Sequence, residues 1–383
     1  MKIPLYKIIY EKILEQINGG VLAKGDKIPS EKELAEQFGV SRITSKKALD
    51  LLAQEQFIER IQGKGSFVAD IHGQINNQSS PVKVEEQEIY VNTKPKIGLV
   101  ISDFSDRFGS TLVKAIEKNV TARNGSLLIK ITKENLEDEE KAIQDLLEAG
   151  ISGIIILPIH GEHYNHKILE LVLKKFPVVL VDRYLRGIQI ASVVTDNFKA
   201  TKEATEYLVS LGHEHIAYIT APYEGTTVLE DRLKGYQFAF TKHQLDLNLK
   251  YTFESMASDF VLQERSQSEF TSELERMKQF IENNPEITAF VVCRYGLAKI
   301  LLHVIHLLGK KVPEDYSIIC FDSPPTDISE PLFTHIAQNE ENMGGKSVEL
   351  LFNQIEGITE VVTEIIDFDI IEGRSTEKLK ENI

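Results

Sequence analysis

Cysteine is scarce in this chain of 383 residues: Cys293 and Cys320 are the only two, far apart in sequence, so no disulfide framework is implied. Both fall at the ends of expected strands, where a small buried thiol is the natural reading. Long apolar runs are missing too. None approaches the length needed to span a bilayer, and the opening Met1-Lys2-Ile3-Pro4 does not begin a signal peptide. There is no phosphate-binding Gly-x-x-x-x-Gly-Lys loop, no Gly-x-Ser-x-Gly elbow and no His-Glu-x-x-His pair. The expectation is a cytoplasmic protein that is not an enzyme and carries no cofactor. His160, His163 and His166 recur every third residue, and His303 and His306 share a helix face, but without a clear fourth ligand no metal is expected.

Positive charge is in short supply as well. Lys+Arg number 43 against 58 Asp+Glu, a net charge of −15, which on its own argues against a nucleic-acid partner. The balance changes when the chain is divided. Residues 1–72 hold 11 basic and 10 acidic side chains, whereas the remainder carries a net −16. The larger part is expected to avoid DNA while the head supplies local positive charge. The length and a hydrophobic content of 42% allow two or three domains with real cores.

What is present is concentrated in the head. Gly39 is placed to end one helix and Ser41 to cap the next. Ser45, Ala48, Leu49 and Leu52 then recur at helical spacing as an inward face, which leaves Arg42, Thr44 and Lys46 near the exposed start. Upstream, Pro29-Ser30-Glu31-Lys32-Glu33 sets Ser30 and Glu33 at capping-box spacing. Downstream, two β-prone runs flank Gly63-Lys64-Gly65, the pattern of a hairpin whose glycines let a Lys-bearing backbone approach a phosphate. Helix, turn, helix and basic wing form a winged helix-turn-helix. The order of these motifs resembles the head of the GntR family of bacterial transcription regulators, over residues 1–70. That resemblance implies operator DNA as a partner, with Lys32, Ser41, Arg42, Thr44, Lys46, Gln62, Gly63 and Lys64 at the interface. Lys46 stands where the family often carries Arg, a point charge in place of a planar fork.

Residues 71–95 turn polar and read as a linker, with a possible short strand at Glu85–Val91. From Lys96, Val/Ile-rich runs alternate with amphipathic helices: runs at Leu127–Ile131, Gly153–Leu157, Pro177–Asp182, Val193–Asp196, Ile216–Thr220, Ile287–Cys293 and Tyr316–Asp322. This is the signature of an α/β fold with parallel sheets covered on both faces, and residues 96–383 are long enough for two lobes and a cleft. The segments Val178-Val179-Leu180-Val181-Asp182-Arg183, Leu211-Gly212-His213-Glu214-His215-Ile216, Arg232-Leu233-Lys234-Gly235 and Val312-Pro313-Glu314-Asp315-Tyr316 resemble the LacI/GalR effector domain, a periplasmic-binding-protein-like fold. A GntR-type head on such a sensor is similar to the arabinose-repressor subgroup. The combination implies an effector-responsive transcription regulator, most simply a homodimeric repressor.

Ligands in doubly wound folds sit beyond the carboxyl ends of the strands. That rule alone gives Ser102–Arg107, the segment after Leu157, Asp182–Tyr184, Thr220–Tyr223, Cys293–Tyr295 and Asp322–Ser323, and with them Asp182, Arg183, Arg294 and Asp322; the resemblance adds Phe108 and Arg232 as contacts to a monosaccharide or sugar derivative. Carboxylates accept from hydroxyls and a guanidinium donates in a fork, a set suited to polyols. Arg294-Tyr295 replaces the Asn-Asp that relatives usually carry. Two arrangements follow: Arg294 pairs with Asp322 and leaves a site for a neutral sugar, the favoured one, or joins Arg232 around an anionic group. Competing functions are a solute-binding protein, which gives no reason for residues 1–70, and an enzyme domain joined to a DNA-binding head.

Overall fold

The computed structural model describes residues 5–18, 21–54, 57–61, 64–69, 94–102, 108–133, 135–159, 165–255, 267–324, 329–358 and 360–380. The chain divides into two compact units, Met1–Tyr90 and Val91–Ile383. The expected linker strand at Glu85–Val91 lies outside the described residues.

The first unit contains α1 (Leu5–Asn18), β1 (Lys27–Ile28), α2 (Glu31–Phe38), α3 (Arg42–Gln54), β2 (Ile58–Ile61) and β3 (Gly65–Val68). Its strands form an antiparallel sheet in the order β1-β3-β2. The core joins Ile9 and Ile13 of α1, Leu34 of α2, and Ala48, Leu49 and Leu52 of α3 to Ile28, Ile58 and Val68 of the sheet. Ser45 faces inward as its spacing requires. It is buried, and its hydroxyl donates to the Glu31 carbonyl at 2.7 Å, which ties α3 to the start of α2.

The second unit is an α/β structure built on two six-stranded sheets. Its first lobe takes β4 (Lys96–Ile101), α4 (Ser110–Ala122), β5 (Ser126–Ile131), α5 (Leu136–Glu148), β6 (Gly153–Ile156), α6 (His166–Leu173), β7 (Val178–Val181) and β8 (Ala191–Thr195). The second lobe follows with α7 (Asn197–Ser210), β9 (Ile216–Thr220), α8 (Thr227–His243), β10 (Thr252–Glu254), α9 (Gln267–Glu282), β11 (Ala289–Val292), α10 (Tyr295–Leu307), β12 (Ser317–Phe321) and β13 (Thr334–Gln338). The chain then returns to the first lobe for α11 (Glu340–Ile355) and β14 (Thr363–Ile366), and ends in the second with β15 (Phe368–Ile371).

The first sheet runs β14-β8-β7-β6-β4-β5 and is parallel throughout. The second runs β10-β9-β11-β12-β13-β15, with only β15 antiparallel. Strands β6, β7, β8, β9, β11 and β12 are buried along their whole length, the reason they read as continuous Val/Ile runs rather than alternating ones. Three crossings, at 195–197, 338–340 and 366–368, join the lobes.

One glycine sets a distance that matters later. A Cβ on Gly235 of α8 would stand 2.2 Å from the Phe198 carbonyl oxygen of α7, so the two helices touch backbone to backbone there.

Candidate functional site

The head presents one exposed basic face. The Ser30 hydroxyl accepts from the Glu33 amide at 3.3 Å, and the Ser30 amide donates to the Glu33 carboxylate at 2.7 Å, completing the capping box. Gly39, at φ 64°, ends α2 in the left-handed region. Ser41 caps α3: its hydroxyl accepts from the Thr44 amide at 3.2 Å and lies 2.9 Å from the Thr44 hydroxyl. The two caps fix where α3 begins, and Arg42 and Lys46 stand exposed one turn apart on it. Lys64 is exposed at the hairpin turn, its amide donating to the Ile61 carbonyl at 3.0 Å.

A groove of about 560 Å³ runs between α2, α3 and the hairpin, lined in part by Lys32, Arg42, Arg60 and Gly65. The structure therefore brings Lys32 and Arg42 to one groove. Ser41 and Thr44 hold the cap, and Gln62 and Gly63 lie outside the described residues. Arg60 was not legible. Its Nη1 donates to Asp50 and its Nη2 to Glu31, partners 10 and 29 residues away with no spacing signal to connect them.

The second unit gathers its charged groups at the carboxyl ends of the strands. Asp182 follows β7 and Asp322 follows β12, each with positive φ, 69° and 64°. A non-glycine residue holds that conformation at a cost of about 1–3 kcal/mol, which persists where the surroundings over-determine it. Asp182 is buried and Asp322 half-buried, and the burial of their carboxyls pushes both upward from the ordinary range. For Asp182 the rise is opposed by Arg183, Arg232 and Arg294. Asp322 is pushed up to about 7, opposed by Arg232 and by a hydrogen bond from Gln338, and reinforced by Glu340 and Asp182. Since Asp182 belongs to the first lobe and Asp322, Arg232 and Arg294 to the second, the charges that act on these carboxyls come from both lobes.

Arg232 is buried and its fork is partly committed. Nε donates to Asn197 Oδ1 at 2.7 Å, Nη1 donates to the Cys293 carbonyl, and the guanidinium carbon stands 3.5 Å from the Phe321 ring centroid. Gly235, one turn further along α8, permits the approach to α7 that puts Asn197 within reach. The Arg-x-x-Gly spacing thus has a physical cause.

Arg183 braces the neighbouring segment, with Nε 3.5 Å from Asp182 Oδ2 and Nη1 donating to the Pro158 carbonyl. Phe108 is half-buried against the first-lobe core. Beside it, Glu340 accepts from the amides of Gly109 and Leu112 at 2.8 and 3.0 Å, so a residue at the second crossing caps α4. Burial raises the Glu340 pKa and these two amides oppose the rise.

The described contacts of Asp322 are with residues other than the expected Arg294. Asp322 Oδ1 accepts instead from Gln338 Nε2 at 3.0 Å, and its cationic neighbour is Arg232, stacked on the residue immediately before it. Arg294, half-buried at the start of α10, exerts its charge on Asp182. Asn197, Gln338 and Glu340 were missed because each reaches the cleft from a lobe crossing that sequence periodicity does not reveal. Among the histidines expected to share spacing, His160 and His163 lie outside the described residues, and the described residues contain no cluster of three or more metal-ligating side chains.

A capped recognition helix and hairpin on one unit, joined to a two-lobed α/β unit with a charged cleft, define a one-component transcription regulator with a small-molecule sensor. Residues 5–68 match the bacterial regulatory proteins of the gntR family, and residues 205–376 match the periplasmic binding protein-like domain. The chain is 30% identical over 362 residues to the arabinose metabolism transcriptional repressor of Geobacillus stearothermophilus, covering 92% of both, and belongs to that family of repressors. It is also 26% identical over 319 residues to the ribose operon repressor of Halalkalibacterium halodurans, covering 83% of this chain and 86% of that one. Among solved structures, transcription regulator CcpA of Lactococcus lactis superposes with a TM-score of 0.62 at 25% identity, over 74% of this chain and 100% of its own. A LacI family transcriptional regulator from Enterococcus faecium with bound ribose superposes at 0.60 and 23% identity, over 74% and 100%, and shares the fold. No helix among the described residues is long and apolar enough to cross a membrane.

Proposed function

We propose that this regulator is a cytoplasmic homodimeric repressor without catalytic activity, controlled by a monosaccharide or sugar derivative bound between the lobes. The carrying observation is the convergence of buried Asp182 and Arg232 with half-buried Asp322 at the carboxyl ends of strands from two lobes. Carboxyls and a forked donor of this kind recognise vicinal hydroxyls. The arabinose and ribose operon repressors among its relatives support the ligand class. On the head, Arg42 reads a base edge, Lys46 and Lys64 contact backbone phosphates, and two heads address half-sites spaced by about one helical turn or more.

Binding lowers the free energy of one arrangement of the two lobes relative to another and so biases the repressor between two states. The test is a thermal-shift panel of neutral monosaccharides, sugar acids and sugar phosphates, run on wild type and Arg232→Ala. A compound that stabilises wild type, spares the variant and changes wild-type affinity for an operator selected from random DNA supports the proposal. Stabilisation by none of the panel removes it.

A further inference from the structure

On α3 the residues Arg42, Lys46 and Asp50 fall at i, i+4 and i+8, all exposed, so one stripe of the helix carries two positive charges and then a negative one. Glu31, in the first turn of α2, puts a carboxylate in the groove beside Arg42, a second one near the same face. A face that meets a polyanion is ill served by two carboxylates. At physiological salt a charge is felt over about 8 Å, which spans a groove of this size.

Arg60 answers both. It leaves β2 of the hairpin and places Nη1 on Asp50 and Nη2 on Glu31, joining the wing to α2 and α3 through one planar fork. The side chain is about one-third exposed, as is Glu31, while Asp50 is half exposed. Ion pairs so open contribute little to folding stability. Their effect on an approaching phosphate is a different quantity, since each neutralised carboxylate removes a repulsion from the docking path.

We propose that Arg60 is a positioning residue for DNA binding that masks Glu31 and Asp50 and holds the wing beside α3, rather than a base-reading residue. The proposal rests on the assignment of α3 and the wing to the DNA interface. Arg60 makes the groove electrically acceptable to phosphate and sets where Lys64 is carried. Replacing it therefore does more than delete one positive charge, because it uncovers two negative ones.

The experiment measures fluorescence anisotropy of the full chain on a labelled mixed-sequence DNA duplex, with far-UV melting as a fold control. Arg60→Ala should weaken binding by roughly tenfold or more. Adding Glu31→Gln and Asp50→Asn in the same chain should restore most of that loss, which a purely structural role or a direct phosphate contact would not allow. Lys46→Ala serves as the reference for the face itself. If Lys46→Ala weakens binding and Arg60→Ala does not, masking is refuted while the interface stands. A loss on Arg60→Ala that the two neutral substitutions leave unrestored, with melting unchanged, also overturns it. If Lys46→Ala and Arg60→Ala are both silent, the DNA interface lies elsewhere and the underlying assignment falls with the proposal. Should Arg60→Ala fail to fold, Glu31→Gln with Asp50→Asn on intact Arg60 decides: equal or tighter binding supports masking, and weaker binding overturns it.

Discussion

Tyr184 and Asp231 belong to different lobes, and their side chains meet, the phenol donating to Asp231 Oδ2 at 2.7 Å. Around them Arg186 pairs with Glu230 and lies 3.3 Å from Asp231, and the Thr227 hydroxyl donates to the Tyr184 carbonyl at 3.1 Å. The segment after β7 is thereby fastened to the first turns of α8, which also carries Arg232. Burial, and then the hydrogen bond to Asp231, raise the Tyr184 pKa. Arg186→Ala combined with Tyr184→Phe should release this contact without disturbing either core. Amide hydrogen exchange should accelerate within 183–189 and stay unchanged in β6 and β11. Unchanged exchange at 183–189 would mean that the fastening does not hold the segment.

Gly235 tests the link between helix packing and the cleft. An added methyl meets the Phe198 carbonyl and the Lys202 amide, at 2.2 and 3.0 Å from the built Cβ, so α8 must move away from α7. Overpacking of this kind typically costs about 1–3 kcal/mol. Gly235→Ala should lower the thermal midpoint of the effector unit and, by withdrawing Arg232 from Asn197, weaken effector binding as well. A variant with normal stability and normal binding would separate the glycine from both roles.

Much of this architecture could be read from residues in order. The caps at Ser30, Gly39 and Ser41 are local, since partners lie within four positions, and the structure places each as expected. The buried strands announced themselves as Val/Ile runs for a similarly local reason. What escaped was long-range: Glu340 capping α4 across 231 residues, Gln338 taking Asp322, and Arg60 joining two acids. The described partners of Asp322 were not legible either, because the ends of the neighbouring strands β11 and β12 do not decide which groups a carboxylate faces. Arg232, arriving from α8, fills that position.

Asp322 should give the effector unit a distinct pH dependence. Its folded pKa of about 7 lies above the ordinary 3.8, so the native state keeps a proton that the unfolded chain releases. The corresponding stability is fully present below 3.8 and is lost as pH rises towards about 7. The raised pKa values of Asp182 and Glu340 act in the same sense, while the lowered ones of His213 and His335 act in the opposite sense. The comparison with Asp322→Asn isolates one group. Across that window the wild-type midpoint should fall with pH more steeply than that of the variant, and parallel curves would show that Asp322 titrates normally.

For the head, Arg42→Ala should cost roughly 1–3 kcal/mol on the operator and relax preference at one base pair. Lys64→Ala should instead weaken binding to all sequences and reduce the salt slope by about one. Binding titrations on operator and mixed-sequence duplexes at several salt concentrations separate the two. Equal operator affinity for wild type and Arg42→Ala would remove the base-reading role.

Substitution of Arg294 tests the charge of the effector. The half-buried guanidinium at the start of α10 adds to the positive charge acting on Asp182. Asp182 also has Arg183 at 3.5 Å, and the charge of Arg232 acts on it as well. Three arginines acting on one carboxylate favour the anionic alternative, a ligand group that accepts from a guanidinium fork. The expected outcome is that a sugar acid or sugar phosphate binds more tightly than its neutral counterpart. Arg294→Asn should then reduce the acidic ligand's affinity by about tenfold or more while changing the neutral one little. Titration calorimetry of both ligand classes against both proteins gives the answer. Preference for the neutral sugar in wild type, retained in Arg294→Asn, would assign Arg294 to holding Asp182 and leave the hydroxyls to Asp322 and Arg232.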